Sequence, residues 1–292
     1  MSMSRRIWLA AVAASVLTPA LLSPSTASAD VKKKILFFTK SSGFQHSSIT
    51  RKGDDLSHAE KILTELGEKN GYEVVCSKDG SMFEPGKIEQ FDAFVFYTTG
   101  DLTKPGTDKQ TPISEKGLKA FFDRIHSGKA GFLGVHSATD TFGKHRGQGC
   151  DDEYIKMIGG HFNGHNAQQE VELTVVDPKF PGARDLPESF RITDEWYSQK
   201  CQPEDLHVII RQNTKEMKGP DYQRPDYPQT WAKSYGDGRV YYTSMGHRED
   251  VWTNEKYQDL LVGALKWVTR EVDAAIEPNT SKFTPDFQTL QK

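Results

Sequence analysis

The sequence is poor in cysteine and has no excess of charge of either sign. Its 292 residues include three cysteines, without a C-x-x-C pair, and the net charge is −3 with both signs interspersed. That balance lacks the basic surface that nucleic-acid binding requires, so we expect no nucleic-acid partner. In an exported protein Cys150 could bridge to Cys201 and leave Cys76 in a strand, or all three thiols could stay unpaired.

The sequence also lacks an uninterrupted apolar run long enough to cross a membrane. Residues 7–22 are apolar, but Ser15, Thr18 and Pro19 break the run, which falls short of the roughly 20 residues that a span needs. An Arg5-Arg6 pair precedes this run and an A-x-A site ends at Ala29. The pattern predicts a signal peptide over 1–29, with no stable membrane span after cleavage. The alternative is an uncleaved membrane anchor.

Export to the periplasm or the extracellular space follows from that signal. The segment Ser4-Arg5-Arg6-Ile7-Trp8-Leu9 resembles a twin-arginine signal, which carries proteins out already folded. The chain that remains is long enough for one large α/β domain or two small ones.

Apolar runs alternate with helical patterns in the first half of the mature chain. Strands are predicted at residues 34–39, 72–76, 91–97 and 130–136, and helices at residues 56–70 and 114–126. Strands that are apolar on both faces and joined by helices indicate a mostly parallel sheet flanked by helices, an α/β fold.

The second half predicts antiparallel additions to this sheet. Residues 171–175 and 206–210 read as strands, residues 230–235 and 239–243 as a hairpin around Gly236-Asp237-Gly238, and residues 260–268 as a closing helix. We expect one domain over 30–271 and a C-terminal surface arm over 272–292, where two prolines and few apolar residues occur.

Polar residues follow several predicted strands where the strands end. The loops with His46, Thr98 to Asp101, and His136 all leave the sheet at the carboxyl ends of parallel strands, where ligands gather in such folds. His136 stands in a G-V-H-S-A-T-D turn, at the place where α/β enzymes often present a nucleophile.

Several glycine-rich motifs follow one another along the chain. They are Gly43-Phe44-x-His46, Gly134-x-His136-x-Ala138-x-Asp140, Gly159-Gly160-x-Phe162-x-x-His165, Asp194-Glu195-x-Tyr197, Trp231 before Gly238-Arg239-Val240, and Gly246-His247. Their order and spacing resemble the ThuA-like, trehalose-utilisation family from about Lys33 to Glu271. The segment from Gly143 to Cys150 looks inserted, and Asn166 stands where a proline is common in that family.

The resemblance implies a flavodoxin-like fold of the class I glutamine-amidotransferase type. Amidotransferases carry a cysteine nucleophile at the turn where this sequence has His136, and the neighbouring Ser137 lies one residue past the apex. Glutamine hydrolysis through a thiolate is therefore not expected.

Two chemistries fit this set of histidines and carboxylates. In the first, some of His46, His136, His165 and His247 bind Zn, Mn or Fe together with Glu195 or Asp140. In the second there is no metal, and an imidazole and a carboxylate share general acid-base work. No H-E-x-x-H motif is present to favour the first.

Roles can be assigned within this set. The candidate catalytic residues are His136, Glu195, His165 and Asp140, and the candidate substrate-binding residues are His46, Trp231, Tyr197 and Asp194. Trp231 could equally be a core residue, and Asp140 or Asp194 could serve only to bind backbone. We expect structural or solvated roles for His58, His126 and His207.

The expected activity comes from the residues and the resemblance together. The family implies a small carbohydrate as partner, and the residues imply proton transfer or hydrolysis, so an enzyme acting on a sugar or a 3-keto-sugar is expected. The alternatives are a metal-dependent amide or ester hydrolase and a carbohydrate-binding protein without catalysis, which would need aromatic platforms but few clustered imidazoles. The sequence leaves the oligomeric state open.

Overall fold

A computed structural model describes residues 32–290 of the protein. The signal peptide predicted over 1–29 lies outside the described residues, so export stays a prediction. Within residues 32–290, no helix is both long and apolar enough to cross a membrane.

A nine-stranded sheet organises the domain, in the order β2-β1-β3-β4-β11-β10-β9-β6-β7, and β5 pairs with β8 in a separate ribbon. The strands are β1 (Lys33–Phe38), β2 (Tyr72–Ser77), β3 (Ala93–Phe96), β4 (Gly131–Val135), β5 (His161–Gly164), β6 (Gln169–Val175), β7 (Ser189–Asp194), β8 (Ser198–Lys200), β9 (His207–Gln212), β10 (Tyr227–Tyr235) and β11 (Gly238–Thr243).

Parallel pairing dominates one half of the sheet and antiparallel pairing the other. Strands β2, β1, β3, β4 and β11 are parallel, whereas β10, β9, β6 and β7 follow with antiparallel pairs. The predicted α/β class, with antiparallel additions in the C-terminal half, is confirmed. Because the direction alternates from β11 onward, β9 and β7 run in the same direction as β11. The ends of β1, β4, β7 and β11 therefore share one edge of the sheet.

Helices cover both faces of the sheet. The helices are α1 (His58–Lys69), α2 (Glu115–His126), α3 (Glu153–Ile158), α4 (Glu249–Trp252), α5 (Glu255–Val268) and α6 (Thr280–Phe283). Helices α1 and α5 pack in one apolar core and α2 and α3 in the other. Strands β3 and β4 are buried along their whole length between these two layers, which explains why their sequences are apolar without alternation.

Local sequence signals account for the start of two of the predicted helices, α1 and α2. Ser57 and Glu60 form a capping box at the start of α1, and the Ser114 hydroxyl caps α2 by accepting a hydrogen bond from the Gly117 N–H. Strand β7, the β5–β8 ribbon and the short helices α3, α4 and α6 were not predicted. The ribbon strands and these helices span too few residues to show a period.

A disulfide and a hydrogen-bonded C-terminal segment lie at the edge of the domain. Cys150 and Cys201 are bonded and Cys76 is free, which is one of the two arrangements that the sequence left open. Residues 272–290 pack on the rest of the domain through hydrogen bonds between side chains and backbone groups. The Asn279 amide bonds both the N–H and the carbonyl of Val208, and Arg224 donates to the carbonyl of Phe287.

Candidate functional site

Four polar side chains converge where the ends of β1, β4, β7 and β11 meet. His46 follows β1, His136 follows β4, Glu195 follows β7 and His247 follows β11. One nitrogen or carboxylate oxygen from each residue lies within 4.8 Å of the others. The strand-end rule predicted this position for His46 and His136. Glu195 and His247 were candidates from their motifs, and the structure brings them to the same place.

His136 occupies a strained turn that fixes its imidazole. Its φ angle is 43°, a left-handed conformation that costs a non-glycine residue free energy and persists only where the surroundings enforce it. The Tyr242 hydroxyl donates to the His136 carbonyl at 2.7 Å, and His136 Nδ1 lies 3.0 Å from the carbonyl of Ser244. Because a carbonyl only accepts, Nδ1 carries the proton, and in the neutral ring Nε2 presents a lone pair to the cluster.

His247 is held in place by Asp194, a fully buried carboxylate. Asp194 Oδ2 accepts the N–H of Gly246 at 2.7 Å, and Oδ1 accepts the N–H groups of Glu195 and Arg248 at 2.9 and 3.1 Å. Burial raises the pKa of Asp194 although these contacts oppose the shift. Asp194, predicted to bind substrate, instead joins the end of β7 to the loop after β11.

Glu195 joins the cluster to a fifth side chain. Its Oε2 lies 3.2 Å from His247 Nδ1 and 3.6 Å from His136 Nε2, and its Oε1 lies 3.3 Å from His165 Nδ1. His165 is 41% exposed, against 12% for Glu195. The carboxylate therefore lies between the buried histidines and one that solvent reaches.

His46 is the most strongly desolvated imidazole of the group. Burial, assisted by the neighbouring His136 and His247, lowers the pKa of His46 to about 2. Its ring centre lies 4.9 Å from that of His136 and 5.2 Å from that of His247. Its buried Nδ1 has no hydrogen-bond partner among residues 32–290. A neutral imidazole with an unused nitrogen is the form in which histidine binds a metal.

The charges of the cluster are coupled through Glu195. Burial opposes ionisation of Glu195, yet its contacts with His136 and His247 hold its pKa well below the ordinary value. Burial alone would lower the pKa of His247, but the contact with Glu195 raises it above the ordinary value. The lowered pKa favours the charged carboxylate, which attracts a cation, either a proton on a neighbouring imidazole or a metal ion.

The donor atoms have a spacing that suits a divalent metal. His136 Nε2, His247 Nδ1 and Glu195 Oε2 form a triangle with edges of 3.2, 3.3 and 3.6 Å. Ligands about 2.1 Å from a tetrahedral ion lie roughly 3.4 Å apart. His46 adds a fourth donor to the group. Three imidazoles and one carboxylate could therefore hold a metal; His165, predicted as a ligand, lies outside this set of four.

The other predicted site residues have different surroundings. Tyr197 packs against the cluster, with its ring centre 4.2 Å from that of His136 and the two rings tilted by 43°. Asp140 is engaged by Lys144 Nζ at 2.8 Å and His145 Nε2 at 3.1 Å. Burial works against ionisation of Asp140, but hydrogen bonds from these two residues lower its pKa. These contacts give Asp140 a role in holding the loop after His136.

Trp231 is a core residue rather than a sugar platform. Its ring is fully buried, its Nε1 donates to the carbonyl of Ile158 at 2.8 Å, and it packs on Tyr242. A ring closed on all sides cannot receive a substrate, so the predicted substrate contact does not fit this position.

Two supporting residues were not found from the sequence. Ser244 orients His136 through a backbone carbonyl, which no side-chain pattern signals. Tyr97, directly after β3, places its ring 5.3 Å from that of His46 and 5.8 Å from that of His136. Its position just before Thr98 and Thr99 at the same sheet edge was the available signal.

Comparison with known proteins agrees with this architecture. The family model "ThuA: Trehalose utilisation" matches residues 34–268. A putative ThuA-like protein from Bacteroides uniformis superposes with a TM-score of 0.62 at 19% identity, over 88% of this chain and 98% of that one. Another from Parabacteroides merdae gives 0.61 at 17% identity, over 84% and 92%.

A cytoplasmic protein from Salmonella typhimurium LT2 is also similar, with a TM-score of 0.56 at 14% identity, over 80% of this chain and 99% of that one. At these identities the likeness concerns the fold alone. No curated protein sequence is significantly similar to the chain. The match to the family model spans most of the sequence, and the chain belongs to the ThuA, trehalose-utilisation family.

Proposed function

We propose that this protein is an enzyme that moves a proton on the carbon next to the ketone of a 3-keto-glycoside, with a divalent metal held by His46, His136, Glu195 and His247. The family description supplies the carbohydrate class. The observation that carries the proposal is the triangle of His136 Nε2, His247 Nδ1 and Glu195 Oε2, with edges of 3.2 to 3.6 Å.

The four donors suit zinc, or manganese or iron with additional oxygen ligands. When bound, the metal would supply Lewis-acid stabilisation of the negative charge that develops on the ketone oxygen. The protein's part is to leave a lone pair available on His46 and on His136. Burial does this for His46, whose pKa falls to about 2, and the Ser244 carbonyl does it for His136 Nε2 by fixing the proton on Nδ1.

His165 is the proposed acid-base residue. Its Nδ1 can donate to Glu195 Oε1 at 3.3 Å or to the Asn166 carbonyl at 3.2 Å, which leaves Nε2 with a lone pair on a ring that is 41% exposed. His165 Nε2 removes the proton from the carbon next to the ketone. The C–H electron pair becomes a C=C bond, the carbonyl oxygen takes the charge, and the same nitrogen returns the proton.

We also propose that the mature chain works outside the cytoplasm. The sequence features of residues 1–29 support this, and so does the Cys150–Cys201 disulfide, since such bonds persist mainly in oxidising compartments. Detection of the cleaved chain in a periplasmic or culture fraction tests export.

Metal content is the first test. Elemental analysis of the purified chain 30–292 is compared for the wild type, His136→Ala, and His126→Ala, which changes an exposed histidine on α2. We expect about one equivalent of metal in the wild type and the control, and a loss in His136→Ala. Reconstitution with Zn²⁺, Mn²⁺ and Fe²⁺ then defines the preferred ion.

Proton exchange tests the chemistry. Methyl 3-keto-α-D-glucopyranoside is incubated with the metal-loaded enzyme in D₂O, and the protons beside the ketone are followed by NMR. We expect enzyme-dependent deuterium uptake that His165→Ala slows by about 100-fold or more. A wild type that binds metal but exchanges no proton, while cleaving simple esters or amides, would replace this proposal with the hydrolase alternative.

A further inference from the structure

Phe44 is exposed in a way that the fold does not require. Among residues 32–290 it is the large hydrophobic side chain that lies in solvent, with 70% of its surface exposed. It belongs to the Gly43-Phe44-Gln45-His46 segment after β1, two positions before a cluster residue. A single exposed aromatic side chain on a surface needs no explanation by itself. Phe44 needs one because it lies beside the cluster.

The Phe44 ring contacts His46, a member of the histidine cluster. Its centre is 5.0 Å from that of His46, with the two rings nearly perpendicular. His46 in turn is 4.9 Å from His136. The phenol rings next to His136, those of Tyr97 and Tyr197, are buried. Phe44 is therefore the exposed phenyl ring beside this cluster.

The backbone that carries Phe44 is fixed although the ring is free. The Thr99 hydroxyl donates to the Phe44 carbonyl at 2.6 Å, and the Thr107 hydroxyl donates to the Gly43 carbonyl at 2.9 Å. A Cβ on Gly100 would lie 2.6 Å from the Gly43 nitrogen, so this contact needs a glycine. Loop 42–44 thus packs tightly, and the ring is presented in a preformed position.

We infer that Phe44 is the platform on which a sugar ring of the substrate lies. This inference rests on the proposed function. A pyranose has an apolar face of C–H groups that packs on an aromatic ring, while its oxygen atoms point sideways. A sugar on the free face of Phe44 would direct its carbonyl and hydroxyl groups towards His46 and the cluster behind it. Phe44 then selects a ring-shaped substrate, and the cluster acts on it.

The test compares Phe44→Ala with Phe44→Tyr, and uses Phe283→Ala on α6 as a matched loss of a partly exposed phenyl ring. Each metal-loaded protein is assayed for proton exchange and for binding of methyl 3-keto-α-D-glucopyranoside by calorimetry. We expect Phe44→Ala to raise KM and the dissociation constant about tenfold, with kcat changed by less than about threefold. Phe44→Tyr restores the wild-type values, and metal content is unchanged throughout.

The failures of the two proposals can be told apart. If the wild type exchanges protons and Phe44→Ala keeps its KM, the platform is wrong and the proposed function stands. If the wild type neither binds nor exchanges the keto-sugar, the proposed function fails and the platform fails with it. If sedimentation shows that Phe44→Ala converts an oligomer to monomers without a change in KM, a second copy of the chain covers the ring, and the platform is again wrong.

Discussion

Asp194 accepts a hydrogen bond from the backbone N–H of Gly246, at 2.7 Å and across 52 positions of sequence. This bond ties the end of β7 to the loop after β11, and so places Glu195 and His247 side by side. The relative position of Glu195, which follows β7, and His247, which follows β11, therefore depends on the buried carboxylate of Asp194.

Asp194→Ala is expected to destabilise the fold and to release the loop after β11 from the end of β7. Three buried or partly buried backbone N–H groups would lose their acceptor, and unpaired buried donors are costly. We expect the free energy of unfolding to fall by about 3 kcal/mol in urea denaturation. Asp250→Ala, which removes an exposed ion pair with Arg248, is the control and should cost less than about 1 kcal/mol. Equal effects in the two variants would contradict this role of Asp194.

Gly246→Ala tests the same loop from its backbone. Gly246 has a φ angle of 113°, and a Cβ there would lie 2.6 Å from the Tyr257 hydroxyl and 2.9 Å from Val135 Cγ1. Strain and overlap together should cost about 3 kcal/mol. Gly53→Ala is a matched control, because φ is also positive (62°) but nothing lies within 4 Å. It should cost only about 1 kcal/mol, measured by the same urea titration. Similar losses would show that the close approach to Tyr257 is unimportant.

Two substitutions separate metal binding from proton transfer. Glu195→Gln removes the charge that attracts the cation, and should weaken Zn²⁺ binding by more than about 100-fold. His165→Ala removes a side chain outside the four donors, and should leave Zn²⁺ affinity within about tenfold while lowering proton exchange by about 100-fold or more. Competition with a chelating dye measures affinity and NMR measures exchange. If His165→Ala instead loses the metal, His165 is a ligand, as the sequence first suggested.

Much of this site could be expected from the sequence, for a physical reason. Carboxyl ends of parallel strands share an edge, so His46 and His136 could be placed together from apolar runs alone. In the antiparallel half of the sheet, strand ends alternate between the two edges, so the position of a strand end cannot be predicted in this way. The direction of β7 follows from a chain of pairings that the sequence does not reveal, so a contact between Glu195 and His247 was one possibility among several until the strands were placed.

Individual side chains were harder to place than the strands that carry them. Trp231 lies on a strand covered on both faces, where a large aromatic ring fills the core, and composition alone does not distinguish that position from a binding platform. Phe44 belongs to one of the glycine-rich motifs, yet its exposure depends on how tightly loop 42–44 packs on Thr99 and Gly100. Such packing is a tertiary property without a sequence period.

The Cys150–Cys201 disulfide should contribute substantially to stability. It joins residues 51 positions apart, and closing a loop of that length in the unfolded chain is worth about 4 kcal/mol. We expect reduction, or Cys150→Ser, to lower the free energy of unfolding by up to that amount in urea titrations with and without a phosphine reductant. Cys76→Ser, which changes the free thiol of β2, is the control and should leave the reductant effect intact. Insensitivity of the wild type to reductant would show that the bond is not formed in solution.

His207 should make stability depend on pH, because both ring nitrogens act as donors. Nε2 lies 2.8 Å from Asp177 Oδ2 and Nδ1 lies 2.8 Å from the Glu277 carbonyl, an arrangement that only the protonated ring satisfies fully. Burial alone would lower the pKa of His207, but these two contacts raise it above 6.5. The same hydrogen bond lowers the pKa of Asp177 below 3.8.

The sign of each shift sets the pH window. The His207 contribution is fully present below about pH 6.5 and is lost as the pH rises through the folded-state pKa. The Asp177 contribution is present above about pH 4 and is lost as the pH falls through its lowered folded-state pKa. The test compares the free energy of unfolding of His207→Gln with that of the wild type, by urea denaturation at each pH. As the pH falls from 8 to 5.5, we expect the free energy of unfolding of the wild type to rise by on the order of 1 kcal/mol relative to the variant. A constant difference between the two proteins across this range would mean that His207 is not protonated in the folded state, and that its contact with residue 277 does not depend on charge.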